Sequence, residues 1–126
     1  MIKKTKVLML TICLVIGMFS AVVVEAATYG YLTKETVTKS GLATVHSNST
    51  GTNSFAFNYG ASCRSSSMLV EVQHYIDGKY VTIIPIMKTI SAGSSFSDYG
   101  EYPGFKMFRI QLSGSGTGSG WIQGRS

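Results

Sequence analysis

Apolar and polar residues alternate in short runs through the middle of the chain, and the alternation assigns faces to strands. In SFAFNY (Ser54 to Tyr59), Phe55, Phe57 and Tyr59 fall on one side and Ala56 and Asn58 on the other. In MLVEVQHYI (Met68 to Ile76), Met68, Val70, Val72 and Ile76 oppose Leu69, Glu71, Gln73 and Tyr75. In KMFRIQL, Phe108, Ile110 and Leu112 oppose Met107, Arg109 and Gln111. One-sided patterns of this kind belong to antiparallel sheets with one dry and one wet face.

The pattern predicts strands at about 29–38, 42–47, 54–59, 68–76, 80–87, 94–97, 106–113 and 120–123, separated by clusters such as KSG, NSTGTN, GASCRSSS, SAG and DYGEYPG. Turn clusters every ~8–12 residues with no helical periodicity point to an all-β sandwich or barrel. The expected fold is a single antiparallel β-sandwich, immunoglobulin-like or jelly-roll, of seven or eight strands. VTIIPIM (Val81 to Met87) is apolar on both faces, which suggests a central or covered strand, while Pro85 pushes it towards an edge or a bulge. GSGTGSG (Gly114 to Gly120) is low in complexity and reads as a long flexible hairpin loop.

The best-specified local structure is EVQHYIDGKYVTI (Glu71 to Ile83). Asp77-Gly78 is a type I′ hairpin signal, because both central residues need positive φ. The hairpin holds His74, and Glu71 with His74 would make an E-x-x-H ligand pair on a helix. On a strand, residues three apart point to opposite faces, so the pairing fails and the hairpin reads as scaffold.

The N-terminus is of another kind. Lys3, Lys4 and Lys6 precede an uncharged run from Val7 to Val24, and VEA (Val24 to Ala26) supplies the residues that a signal peptidase prefers. Residues 1–26 are therefore expected to be a signal peptide in a Gram-positive style, with a domain over 27–126 that is secreted and keeps no stable membrane insertion after cleavage. Ile12 before Cys13 is too bulky for a lipoprotein signal. The C-terminus offers no sign of wall anchoring.

Charge and cysteine content narrow the function. The whole chain carries a formal net charge of +5, and residues 27–126 keep eight cations against five acids, a net +3. The cations are scattered singly, whereas nucleic-acid binding wants them in a stripe. Cys63 is the only cysteine of that domain, so no internal disulfide can form. An odd cysteine in an exported chain suggests a free thiol or an intermolecular bridge, here a homodimer through Cys63. A nucleophilic role for Cys63 beside Arg64 lacks any signature that brings a histidine to it. His46 reads as an exposed residue beside a loop.

Asp98 and Glu101 form the one acidic pair, too few oxygens for Ca²⁺ against the simpler reading of a solvated connection. SCRSSS lacks a G-x-S-x-G elbow, and no zinc or phosphate-loop motif occurs. Asn48 begins a sequon that matters only in a eukaryotic host. No cofactor, metal or catalytic residue is expected.

Aromatic residues remain. Tyr59, Tyr99, Tyr102 and Trp121 sit at strand ends or in glycine-rich surroundings, where rings can stack on sugars or merely edge the core. The expectation is a small exported non-catalytic module that binds a wall glycan or a protein at a cell surface through these four residues. The alternative is a secreted cationic bacteriocin-like toxin acting on competitor cells.

Overall fold

The computed structural model describes residues 31–50, 55–105 and 107–125. The expected signal peptide and the start of the first expected strand lie outside them.

The strands are β1 (Glu35–Lys39), β2 (Val45–His46), β3 (Ala56–Ser65), β4 (Ser67–Ile76), β5 (Lys79–Thr82), β6 (Lys88–Ser91), β7 (Ser95–Glu101), β8 (Phe108–Ser113) and β9 (Thr117–Arg125). They form two antiparallel sheets packed face to face. The first has the order β1-β9-β3-β7; in the second, β2-β8-β4 is completed by β5 and β6, which both pair with β4. The sandwich expected from alternation is the fold observed, and no helix among the described residues is long and apolar enough to cross a membrane.

Consecutive strands switch sheets at every step except along β4–β5–β6. The hairpin at Asp77-Gly78 is therefore the one connection between consecutive described strands that pair directly with each other. Asp77 and Gly78 take φ of 50° and 82°, as a type I′ turn requires. β5 pairs with Gln73–Ile76 and β6 with Ser67–Val70 along the same side of β4. A turn of 3₁₀ helix at Ile84–Ile86 separates them.

Pro85 thus ends β5 rather than bulging it, and this break accounts for the strand count of nine rather than seven or eight. The segment lies at the edge of the second sheet instead of its centre, and Ile84 is 72% exposed.

Two further expectations are corrected. GASCRSSS is mostly strand: β3 continues to Ser65 and crosses to β4 at Ser66, whose φ is 59°. GSGTGSG is no hairpin loop, because β8 and β9 lie in different sheets and β9 begins at Thr117. At Gly118 a Cβ would collide with the Ser62 carbonyl, so the glycines here admit close backbone approach rather than flexibility.

The core lies between the sheets. Phe57, Tyr59, Met68, Val70, Val72, Phe108, Ile110, Leu112 and Ile122 are fully buried. The Phe57 and Phe108 rings meet at 4.6 Å, and Tyr102 stacks on Phe57 from the rim at 6.0 Å. One buried group is unusual. Lys39 is 1% exposed, and its ammonium donates to the carbonyls of Gly41, Gly114 (2.6 Å) and Gly116 (2.9 Å). Three acceptors match the three protons of the ammonium, which is what makes burial of the charge tolerable.

Candidate functional site

Strand register decides which of the four aromatic residues meet. On β3, Phe57, Tyr59, Ala61 and Cys63 turn inward, leaving Asn58, Gly60 and Ser62 on the outer face. Asn58 pairs with Tyr99 on β7 and Gln123 on β9; Gly60 pairs with Ser97 and Trp121; Ser62 pairs with Ser95 and Ser119. β1 adds Thr36 beside Trp121 and Thr38 beside Ser119. The outer face of the first sheet is thus a grid, with strands spaced by about 4.8 Å and rows by about 6.6 Å.

Tyr99 and Trp121 are brought together. With Asn58, Ser97 and Asp98 they line a depression of about 390 Å³. Gly60 makes the seat for the indole: a Cβ there would stand 2.8 Å from Trp121 Nε1 and 2.5 Å from the Phe96 carbonyl oxygen. The Lys34 ammonium lies over the indole, 4.0 Å from its centroid.

Tyr99 is 44% exposed, and its hydroxyl donates to Glu101 Oε2 at 3.1 Å. Partial burial and the Glu101 carboxylate push its phenol above the usual value. Asp98 accepts from the Tyr99 backbone N–H at 2.9 Å and from Lys88 at 3.1 Å, and these bonds hold its carboxyl below the usual range. The two acids are committed to different partners, and no group of three or more His, Cys, Asp or Glu able to hold a metal occurs among the described residues.

A larger depression, about 520 Å³, adjoins the first along the same face. Thr36, Thr38, Ser62, Thr117 and Ser119 line it with hydroxyl residues, and two cations, Lys39 and Arg64, also contribute to it. Thr38, Ser119, Ser62 and Ser95 form one row of hydroxyl side chains across all four strands. No aromatic signal in the sequence marks this half of the face. Thr and Ser at alternate positions of β1 and β9 would have marked it, had the pairing of those strands been legible.

The other two aromatic candidates do not belong to the site. Tyr59 is 0% exposed; its hydroxyl reaches the Ile86 carbonyl at 3.5 Å, and burial, reinforced by Asp98 and Tyr102, pushes its phenol up to about 12. It is a core residue because β3 runs six residues past it. Tyr102 is half-buried against Phe57 and Phe108.

Cys63 is likewise removed from the surface. It is 2% exposed, and its Sγ faces the Ser65 carbonyl at 3.4 Å and the Ser66 carbonyl at 3.8 Å. The thiol is free and buried, so the expected homodimer through Cys63 has no support: a bridge needs two cysteines whose backbones approach closely, and the folded domain shields this one.

The histidines stand apart from the site and from each other. His46 is exposed on the outer face of the second sheet. His74 packs on Phe105 at 4.4 Å, its Nδ1 is buried without a partner among the described residues, and desolvation lowers its pKa. Neither forms a pair with Cys63 or Glu71.

No family model and no curated protein matches the chain. Solved structures do resemble it. The structure of Bacillus endospore appendages, disulfide-linked pili, is 13% identical with a TM-score of 0.50, over 78% of this chain and 88% of that one. PirA is 8% identical at a TM-score of 0.46, over 75% and 92%. A CBM4 structure is 11% identical at 0.42, over 74% and 71%. At these identities the likeness concerns architecture alone, and the first of them shares the two packed antiparallel sheets.

Proposed function

We propose that this protein is an exported, non-catalytic binding module that holds a glycan on the outer face of its first sheet. The observation that carries the reading is the meeting of Tyr99 and Trp121, with Asn58 and Asp98 beside them, at the head of a hydroxyl-lined trough. Aromatic rings stack on the apolar faces of sugars, while amides, carboxylates and hydroxyls supply the few polar groups that fix orientation. A sugar ring takes the place of the Lys34 ammonium over the indole.

The disulfide linkage of the appendage pili finds no counterpart among the described residues, where the lone thiol is buried, so assembly through cysteine is not the reading favoured.

The test is co-sedimentation of the purified protein with bacterial walls at low and high salt, alongside Tyr99→Ala and Trp121→Ala. Salt-resistant pelleting that both substitutions weaken at least tenfold is the expected result. Pelleting that both leave intact would move the ligand off this face. Tyr99 is the cleaner probe because its exposed ring is no part of the core.

A further inference from the structure

The larger trough differs in chemistry from the aromatic depression beside it. Its lining is hydroxyl-rich, and no carboxylate contributes to it. Of the two cations in its lining, Lys39 is held by three carbonyls, whereas Arg64 is placed by an irregularity. β3 pairs with β9 through Cys63↔Gly118 and then Ser65↔Thr117, so Arg64 is the extra residue of a β-bulge and has no opposite number. Bulges re-aim side chains and gather beside binding sites.

Arg64 also differs from the other described cations in its commitments. Lys34 lies over Trp121, Lys39 is caged by carbonyls, Lys88 pairs with Asp98, and Arg109 donates to Gln73 and covers Tyr80. Arg125 lies beside Tyr31 and Tyr99. Arg64 has no ion pair, hydrogen bond or ring contact among the described residues. Lys79 shares that freedom, but it stands by the hairpin turn of the second sheet and lines neither depression of the first sheet's face.

We propose that the trough is an oxyanion subsite, in which Arg64 holds a phosphodiester or carboxylate group of the bound polymer while the hydroxyls of Ser62, Thr38 and Ser119 hold the polyol on either side. The inference rests on the glycan reading of the same face and adds to it that the ligand is a negatively charged polyhydroxyl polymer. A guanidinium offers two parallel N–H donors to two oxygens of one group, which suits both anions.

The test measures binding of the purified protein to three polymers of similar length at about physiological salt: poly(glycerol phosphate), polygalacturonate and neutral dextran. Arg64→Ala, Arg64→Lys, Lys79→Ala and Tyr99→Ala are compared with the wild type. The expected result is at least tenfold tighter binding to one anionic polymer than to dextran. Arg64→Ala removes that preference, Arg64→Lys restores part of it, and Lys79→Ala leaves it intact although it deletes the same charge. The polymer preferred tells phosphate from carboxylate.

An equal loss from Lys79→Ala and Arg64→Ala would reduce the effect to general attraction and overturn the subsite. Tyr99-dependent binding to dextran that is indifferent to Arg64 would overturn the subsite and leave the glycan reading standing. Arg64-dependent binding indifferent to Tyr99 would keep the subsite and sink the aromatic glycan site. Binding to none of the three polymers would sink both.

Discussion

The two outer faces of this sandwich are built from similar polar residues and use them in opposite ways. On the second sheet, Gln111 donates to Glu71 at 2.9 Å, Thr82 donates to the same carboxylate at 3.0 Å, Gln73 donates to Thr82 at 3.3 Å, and Arg109 donates to Gln73 at 2.7 Å. Arg109 then covers the Tyr80 ring at 4.0 Å, and Tyr80 meets Tyr75 edge-on at 5.1 Å. That face has spent its hydrogen-bonding capacity on itself. On the first sheet, Thr38, Ser119, Ser62 and Arg64 line a depression instead. A locked network rigidifies a sheet, whereas open groups on a rigid sheet can meet a ligand. The hairpin that carries Glu71, Gln73, Tyr75, Tyr80 and Thr82 is scaffold in this sense, even though it is rich in functional side chains.

The largest effect is expected at Lys39, the buried lysine at the end of β1. Lys39→Met leaves three carbonyls without their donor, each costing about 1–3 kcal/mol if nothing replaces it. A loss of roughly 3 kcal/mol or more in denaturant unfolding is expected, and a loss below about 1 kcal/mol would show that water fills the cage without penalty. Gly60→Val should cost about 1–3 kcal/mol by overpacking and should also expel the indole from its seat, shifting Trp121 fluorescence towards that of a solvated ring.

The next test sets one face against the other. Gln73→Ala breaks a buried link of the second sheet's network and is expected to cost about 1–2 kcal/mol. Ser62→Ala, one strand row of the open face, should change stability by less than about 0.5 kcal/mol. Equal costs would erase the distinction drawn between the faces.

Acid should find the second sheet first. Burial lowers the pKa of His74, so the unfolded chain binds more protons than the folded one just below the ordinary histidine value. Stability is therefore full above about pH 6.5 and declines as pH falls below it, and His74→Phe should flatten that slope in thermal melts. A slope that persists in the variant would assign it to another group. The smallest effect concerns the lysine over the indole. An exposed cation–π contact is worth about 0.5–1 kcal/mol, so Lys34→Ala should tighten binding of a stacking ligand roughly two- to fivefold.

Alternation placed the cores of β4 and β8, because one buried face leaves a period of two that a single sequence reveals, and Asp77-Gly78 placed the hairpin between β4 and β5. What misled was the role of small residues. Gly60, Ala61 and Ser62 resemble a turn cluster, yet Gly60 is small to seat Trp121 and Ser62 is polar because its face is wet. Ending β3 at Tyr59 made a core phenol look like an exposed one, although the same alternation had already set it beside Phe57. Tyr99 and Trp121 were legible as candidates from their glycine-rich surroundings. Their meeting was not, since it depends on β3 lying between β7 and β9, and alternation carries no information about strand order. The trough was invisible for the same reason: Thr38, Ser119, Ser62 and Ser95 become a row only through register.

Cys63 has a consequence of its own. It is the only cysteine between residues 31 and 126, and the fold seals it. In an oxidising medium the folded domain stays monomeric with respect to sulfur chemistry, while an unfolded copy exposes a reactive group that can trap it in a mixed disulfide. The thiol thus distinguishes finished molecules from failed ones, and its rate of alkylation would serve as a clock for the opening of the sandwich.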